Sequence, residues 1–182
     1  QTTVVQGGKL TADFSGGNSP SGTGTALQIA AGTFEYKAPA ADNTLRLGSL
    51  TATNVANNGL FASAMVGGGI GDATVQSTYG GSGSQNLIFG GLTRGTGGVT
   101  VNLVTSGGVN GDTNSIRFSA GATPGALLGA AFYYNGGDFA ANDINGFVRA
   151  ASYGFDSNTA PENTLITGRY SKLTSSLINQ GP

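Results

Sequence analysis

Gly7-Gly8-Lys9-Leu10-Thr11 and Ala31-Gly32-Thr33-Phe34-Glu35 repeat one order of residue types 24 positions apart: small, Gly, polar, apolar, polar. A looser form of the same beat returns at Gly48-Ser49-Leu50-Thr51 and at Gly91-Leu92-Thr93. A period in the twenties is that of one turn of a β-helix or leucine-rich repeat. In such a coil apolar side chains point inward, and Gly, Asn and Asp make the tight turns between short strands. Small polar residues (Thr, Ser and Asn) ladder outside, where stacked like charges would repel.

Period-two alternation surrounds these echoes. Leu10, Ala12 and Phe14 share one face of Lys9 to Phe14, and Phe34 and Tyr36 do so within Thr33 to Tyr36. Leu45 and Leu47 share another, with Gly48 allowing a turn toward Leu50. Val99–Val104, Ser115–Phe118, Phe147–Ala151 and Thr164–Gly168 read as further strands. Helical periodicity is weak. The best window, Asn54 to Met65, contains the turn-forming Asn57-Asn58-Gly59. The expectation is one all-β domain over residues 1–182, a parallel β-helix (β-solenoid) of about eight coils at a rise of roughly 4.8 Å. The alternative is a β-sandwich or jelly roll with antiparallel hairpins.

Composition narrows function. Of 182 residues, 33 are Gly and only 9% are charged, with no His, no Cys and a net charge of −1. Without Cys there is no disulfide framework, thiolate nucleophile or Cys-based zinc site. Without His the commonest general base and metal ligand is missing. Eight dispersed Lys and Arg form no basic patch, so no nucleic-acid partner is expected. No apolar run reaches the 18 or so residues of a membrane-spanning helix. Disorder usually needs high net charge, which this chain lacks. The opening Gln1-Thr2-Thr3 suggests a chain processed or cut from a longer one.

Asn86-Leu87-Ile88-Phe89-Gly90-Gly91-Leu92-Thr93-Arg94-Gly95-Thr96-Gly97-Gly98-Val99-Thr100-Val101-Asn102-Leu103 resembles the L-x-F-G-x-L-T-R-x-x-G-G-x-V-x-F run of autotransporter-associated β-strand repeat proteins of planctomycete type. Gly136-Gly137-Asp138-Phe139-Ala140-Ala141-Asn142-Asp143-Ile144-Asn145-Gly146-Phe147-Val148-Arg149-Ala150 is similar to a second segment of that family, with Asn142 where an aromatic is usual. The match covers about a third of the chain. It implies a right-handed parallel β-helix passenger, secreted or displayed at a bacterial cell surface, with an adhesive or scaffold role.

Few side chains could carry chemistry. Asp138 and Asp143, with Arg149, Tyr133 and Tyr134 nearby, form the one local cluster of carboxylates. They could be a carboxylate pair in a sugar cleft. The plainer reading is that they cap turns at Gly136-Gly137 and Asn145-Gly146, with Arg149 answering one of them. Gly67-Gly68-Gly69-Ile70-Gly71-Asp72 misses a calcium β-roll motif by one residue, and Asn110 to Asn114 begins like a calcium loop but lacks its later ligands. No Gly run is followed by the Lys-Ser/Thr of a phosphate loop, and no Ser sits in a nucleophile elbow. Tyr79, Tyr133, Tyr134, Tyr153 and Tyr170 could stack on sugars, but more simply join the core or cap coil ends. No Asn heads an N-x-Ser/Thr glycosylation motif.

The sequence therefore predicts an extracellular structural or adhesive protein, not an enzyme, with no cofactor, metal or catalytic residues. It is expected to self-associate into a filament or surface scaffold through its ends, Gln1 to Gln6 and Leu173 to Gln180, which hold no charged side chain and no Pro and carry Val4, Val5, Leu173, Leu177 and Ile178. The alternatives are a carbohydrate-binding or carbohydrate-cleaving β-helix that takes extracellular polysaccharide, and a sandwich-fold subunit that donates a strand from Val4 to Phe14.

Overall fold

The structure, a computed structural model, describes residues 1–17, 24–53, 72–95 and 98–175. These are all-β, in strands β1 (Thr2–Val5), β2 (Lys9–Asp13), β3 (Ala26–Ile29), β4 (Gly32–Lys37), β5 (Asn43–Ala52), β6 (Asp72–Thr78), β7 (Gln85–Arg94), β8 (Thr100–Ser106), β9 (Asn114–Phe118), β10 (Ala126–Leu127), β11 (Phe132–Tyr134), β12 (Asp138–Asn142) and β13 (Val148–Ala150). One sheet has the order β1-β3-β5-β7-β9, and the other β10-β12-β11-β8-β6-β4-β2, with β13 on β12. Through β9, each strand pairs in parallel with the strand two places earlier.

The sequence echoes are the pairing register. Lys9, Leu10 and Thr11 lie opposite Thr33, Phe34 and Glu35. Ser49, Leu50 and Thr51 lie opposite Gly91, Leu92 and Thr93. The two echoes occupy different sheets, so they are two patterns and not one beat. The spacing between partners is not constant: it is 24 residues at Thr11–Glu35, 41 at Glu35–Gln76 and 28 at Asp72–Thr100. Among the described residues the first sheet has five strands, where a uniform period over the chain predicts about eight coils.

Rows of matched side chains make the core. Leu45, Leu87 and Ile116 align across one sheet, and Phe34, Val75 and Leu103 across the other, all buried. Phe89 stacks on Phe118 with ring centroids 5.6 Å apart. Each such side chain contributes roughly 1.5–3 kcal/mol by leaving water. Because inward faces align in register, a slip of one residue would turn every row outward.

At Gly48 the strand stays paired but its inward face changes parity: Leu45 and Leu47 pack on the core before it, and Leu50 and Ala52 after it, so the chain reorients there as the sequence predicts. A Cβ there would stand 2.8 Å from the Gly24 carbonyl oxygen and 2.9 Å from the Ala26 nitrogen, so this Gly permits close approach of β3. One strand reading needs correction: Thr164–Gly168 forms no strand; Leu165 and Ile166 are exposed, and the alternation finds no partner to pair with. The helical window Asn54 to Met65 lies outside the described residues.

After β9 the pairing changes: β11 adds in parallel to β8, and the other new strand pairings are antiparallel. Asn135 (φ 49°) and Gly136 (φ 68°) occupy the left-handed region that a tight hairpin requires, and β11 reverses into antiparallel β12. Strands β10 and β13 then flank β12, also antiparallel.

Candidate functional site

Asp138 and Asp143 begin and follow β12, and the structure gives them separate partners. Asp143 Oδ1 accepts the Asn145 backbone N–H at 2.8 Å and its amide at 2.9 Å, the turn-capping arrangement. Its Oδ2 accepts Arg149 Nε at 3.0 Å. Arg149 also grips Asp156 through Nη1 at 3.0 Å and Nη2 at 2.7 Å, a forked pair, and the Ser152 N–H donates to the same carboxylate at 2.7 Å. Burial pushes the Asp156 carboxyl up, but Arg149 and Ser152 outweigh it and hold it below the ordinary carboxylate range. The same balance of burial against Asn145 and Arg149 holds Asp143 low.

Asp138 does not cap Gly136-Gly137. Its Oδ1 accepts the Phe139 N–H at 2.8 Å and the Tyr153 hydroxyl at 2.7 Å, and its Oδ2 accepts Lys172 Nζ. Burial raises the Tyr153 hydroxyl pKa, and Asp138 raises it further, so this phenol stays a donor. Tyr133 stacks on Phe139 at 5.4 Å, Phe139 meets Tyr170 at 5.5 Å, and Tyr134 shares a 2.5 Å hydrogen bond with Thr105. Both carboxylates thus spend their oxygens on joining residues 138–172. Among the described residues no three of His, Cys, Asp and Glu come together. In the Asn110–Asn114 loop Asn114 Oδ1 accepts the Ser77 hydroxyl and the Asn110 amide donates to the Val148 carbonyl, while Asn110 Oδ1 is buried without a hydrogen-bond partner. Of the Gly67–Asp72 motif only Asp72 lies inside the described residues.

Sequence reading missed a row of inward amides. Asn43, Gln85 and Asn114 align across the first sheet, and Gln85 and Asn114 are buried. Gln85 Nε2 donates to the Pro39, Ala41 and Ser82 carbonyls and its Oε1 accepts the Gly80 N–H. Asn114 serves the Ser77, Ser106 and Gly107 carbonyls the same way. These side chains satisfy turn backbone that water cannot reach.

On the outer face of the second sheet, Glu35 is a hub. It accepts Lys9 at 2.7 Å, Thr78 at 2.7 Å and Gln76 at 3.2 Å, crossing β2, β4 and β6. Lys9, then Thr78, hold its carboxyl below the ordinary range. Further along this face Asp72, Thr74, Thr100, Asn102 and Tyr133 line a shallow groove.

The two ends of the stack differ. Strands β1 and β2 end their sheets. Val4 and Leu10 are 46% and 40% exposed, and Thr3, Leu10, Ala12, Leu27, Phe34 and Leu47 line an apolar groove between the sheets there. At the other end β9 meets Phe147 through an antiparallel bridge at Arg117, and the second sheet finishes in antiparallel strands. The expected sticky segment at Leu173 is no strand in its described part, because the Thr174 and Ser175 N–H groups donate to the Asn163 side chain. Residues 176–180 lie outside the described residues. No protein-family model, curated protein or solved structure matches this chain.

Proposed function

We propose that the chain is a segment of right-handed parallel β-solenoid with a structural or adhesive role outside the cell, self-associating into a filament or surface scaffold with its β1/β2 end as one of the joining surfaces. The solenoid reading is supported by the regular parallel pairing of every second strand, in register, from β1 to β9. Right-handed winding follows from the strong preference of parallel crossovers. The resemblance to autotransporter-associated β-strand repeat proteins supports secretion or surface display. The observation that carries the self-association is the β1/β2 end, where edge backbone and an apolar groove lie together. Such edges are templates for added strands. A structural and non-catalytic role is supported by the internal engagement of Asp138 and Asp143. Sedimentation velocity over a wide concentration range tests the proposal. Growth of species larger than one chain is expected, and a single monomeric boundary throughout would refute it.

A second reading, carbohydrate binding, is favoured by the groove that places the Tyr133 ring beside Asp72, Thr100 and Asn102. On that reading Tyr133→Ala abolishes retention on an insoluble polysaccharide while leaving the fold intact.

A further inference from the structure

The β2 edge has a sequence that reads as its own complement. Lys9-Leu10-Thr11-Ala12-Asp13 carries opposite charges at its two ends and an exposed Thr at its centre. Phe14 N–H donates to the Lys37 carbonyl and the Gly8 carbonyl accepts the Thr33 N–H, so even-numbered residues of β2 face β4 with both backbone groups. By the alternation of a parallel ladder, the N–H and C=O groups of Lys9, Thr11 and Asp13 point to the outer edge.

Building on the self-association proposed above, we infer that this edge is a two-fold recognition surface. A second copy of the chain adds its own β2 antiparallel, with Thr11 facing Thr11 of the second copy. In that register the three outward-facing residues meet only one another, and each facing pair exchanges two backbone hydrogen bonds. Lys9 faces Asp13 of the second copy, and Asp13 faces Lys9 of the second copy. Within the chain Lys9 already binds Glu35 at 2.7 Å and Asp13 binds Lys37 at 3.2 Å. The interface therefore continues a row of alternating charge from Glu35 through Lys9 to Asp13 and Lys37 of the second copy. On the inner face Leu10 meets Ala12 of the second copy, which covers the exposed rim of the apolar groove. Parallel addition of β2 would instead set Lys9 against Lys9 and Asp13 against Asp13, which cross-strand repulsion disfavours. The contact is isologous, so it closes on itself: it pairs two solenoids end to end, and growth into a filament or scaffold takes a second contact elsewhere on the chain.

The chain has no Cys, so Thr11→Cys introduces a single thiol. Facing residues of a hydrogen-bonded antiparallel pair stand about 5.5 Å apart at Cα, within disulfide reach. Mild oxidation is expected to convert the Thr11→Cys variant almost wholly to a covalent dimer. Phe155→Cys, at a position 88% exposed in the C-terminal region, should stay unlinked under the same conditions. Thr11→Lys, which sets two ammonium groups against each other at the symmetry axis, should sediment as a monomer with an unchanged β circular-dichroism spectrum. Polymers of the Thr11→Cys variant in which the introduced thiol remains free would overturn the two-fold edge while leaving self-association standing. A variant that stays monomeric with its thiol free at every concentration would overturn both.

Discussion

The two ends of this molecule are built from different interactions. At the β1/β2 end the strands are parallel, the side chains at the rim are exposed, and the charged pairs Lys9–Glu35 and Lys37–Asp13 lie along the sheet surface. At the other end antiparallel strands β10–β13 fold over the stack, and Arg149 ties Asp143 to the buried Asp156. Short strands parted by Gly thus yield, among the described residues, one end with exposed rim side chains and one that spends its polar groups internally. Edge protection in a β-protein is a matter of which few side chains lie there, not of composition.

The comparison breaks most visibly at Arg149. Arg149→Ala leaves Asp156, 3% exposed, without its forked partner. A loss of about 3–5 kcal/mol is expected from urea unfolding, the cost typical of stranding a buried charge. Gly48→Ala strikes the stack between the two ends. Its methyl would press on the backbone of Gly24 and Ala26, and about 1–3 kcal/mol should be lost by the same measurement.

Acid sharpens the contrast further. Asp138, Asp143 and Asp156 have folded-state pKa values below those of an unfolded carboxylate, about 3.9. The stability they contribute is complete above that value and is lost as pH falls through their depressed folded values. Thermal unfolding followed from pH 5 downward should show the melting temperature falling once pH drops below about 4. Substituting Arg149 should flatten much of that fall. The smallest effect belongs to Lys37→Ala. Its partner Asp13 is exposed, and the Asp13 carboxyl is held at about 2 first by the Ser15 hydroxyl and backbone N–H. No measurable change in monomer unfolding is expected, since exposed pairs contribute little.

Much of the parallel stack was legible because register is written in repeated residue types. Leu10 opposite Phe34 and Leu50 opposite Leu92 follow from matching short words in the sequence. Gly48 was legible as the point where the inward face passes from Leu45 and Leu47 to Leu50, but its close approach to the Gly24 and Ala26 backbone was not, because only the neighbouring strand sets it. Gln85 and Asn114 gave no sign of burial, since an amide at a strand start looks the same whether it faces water or a buried turn. The Asp143–Arg149 pair was visible as a local cluster. Asp156 and Lys172 were not, because their places depend on how the irregular segment after β13 folds back.

Amide hydrogen exchange resolved at β2, followed as concentration rises, tests the central claim most directly. Association through this edge should slow exchange at Lys9, Thr11 and Asp13, while the amides of residues 151–172 exchange at unchanged rates. Fast exchange at those three positions in an associated sample, or new protection confined to residues 151–172, would contradict the account.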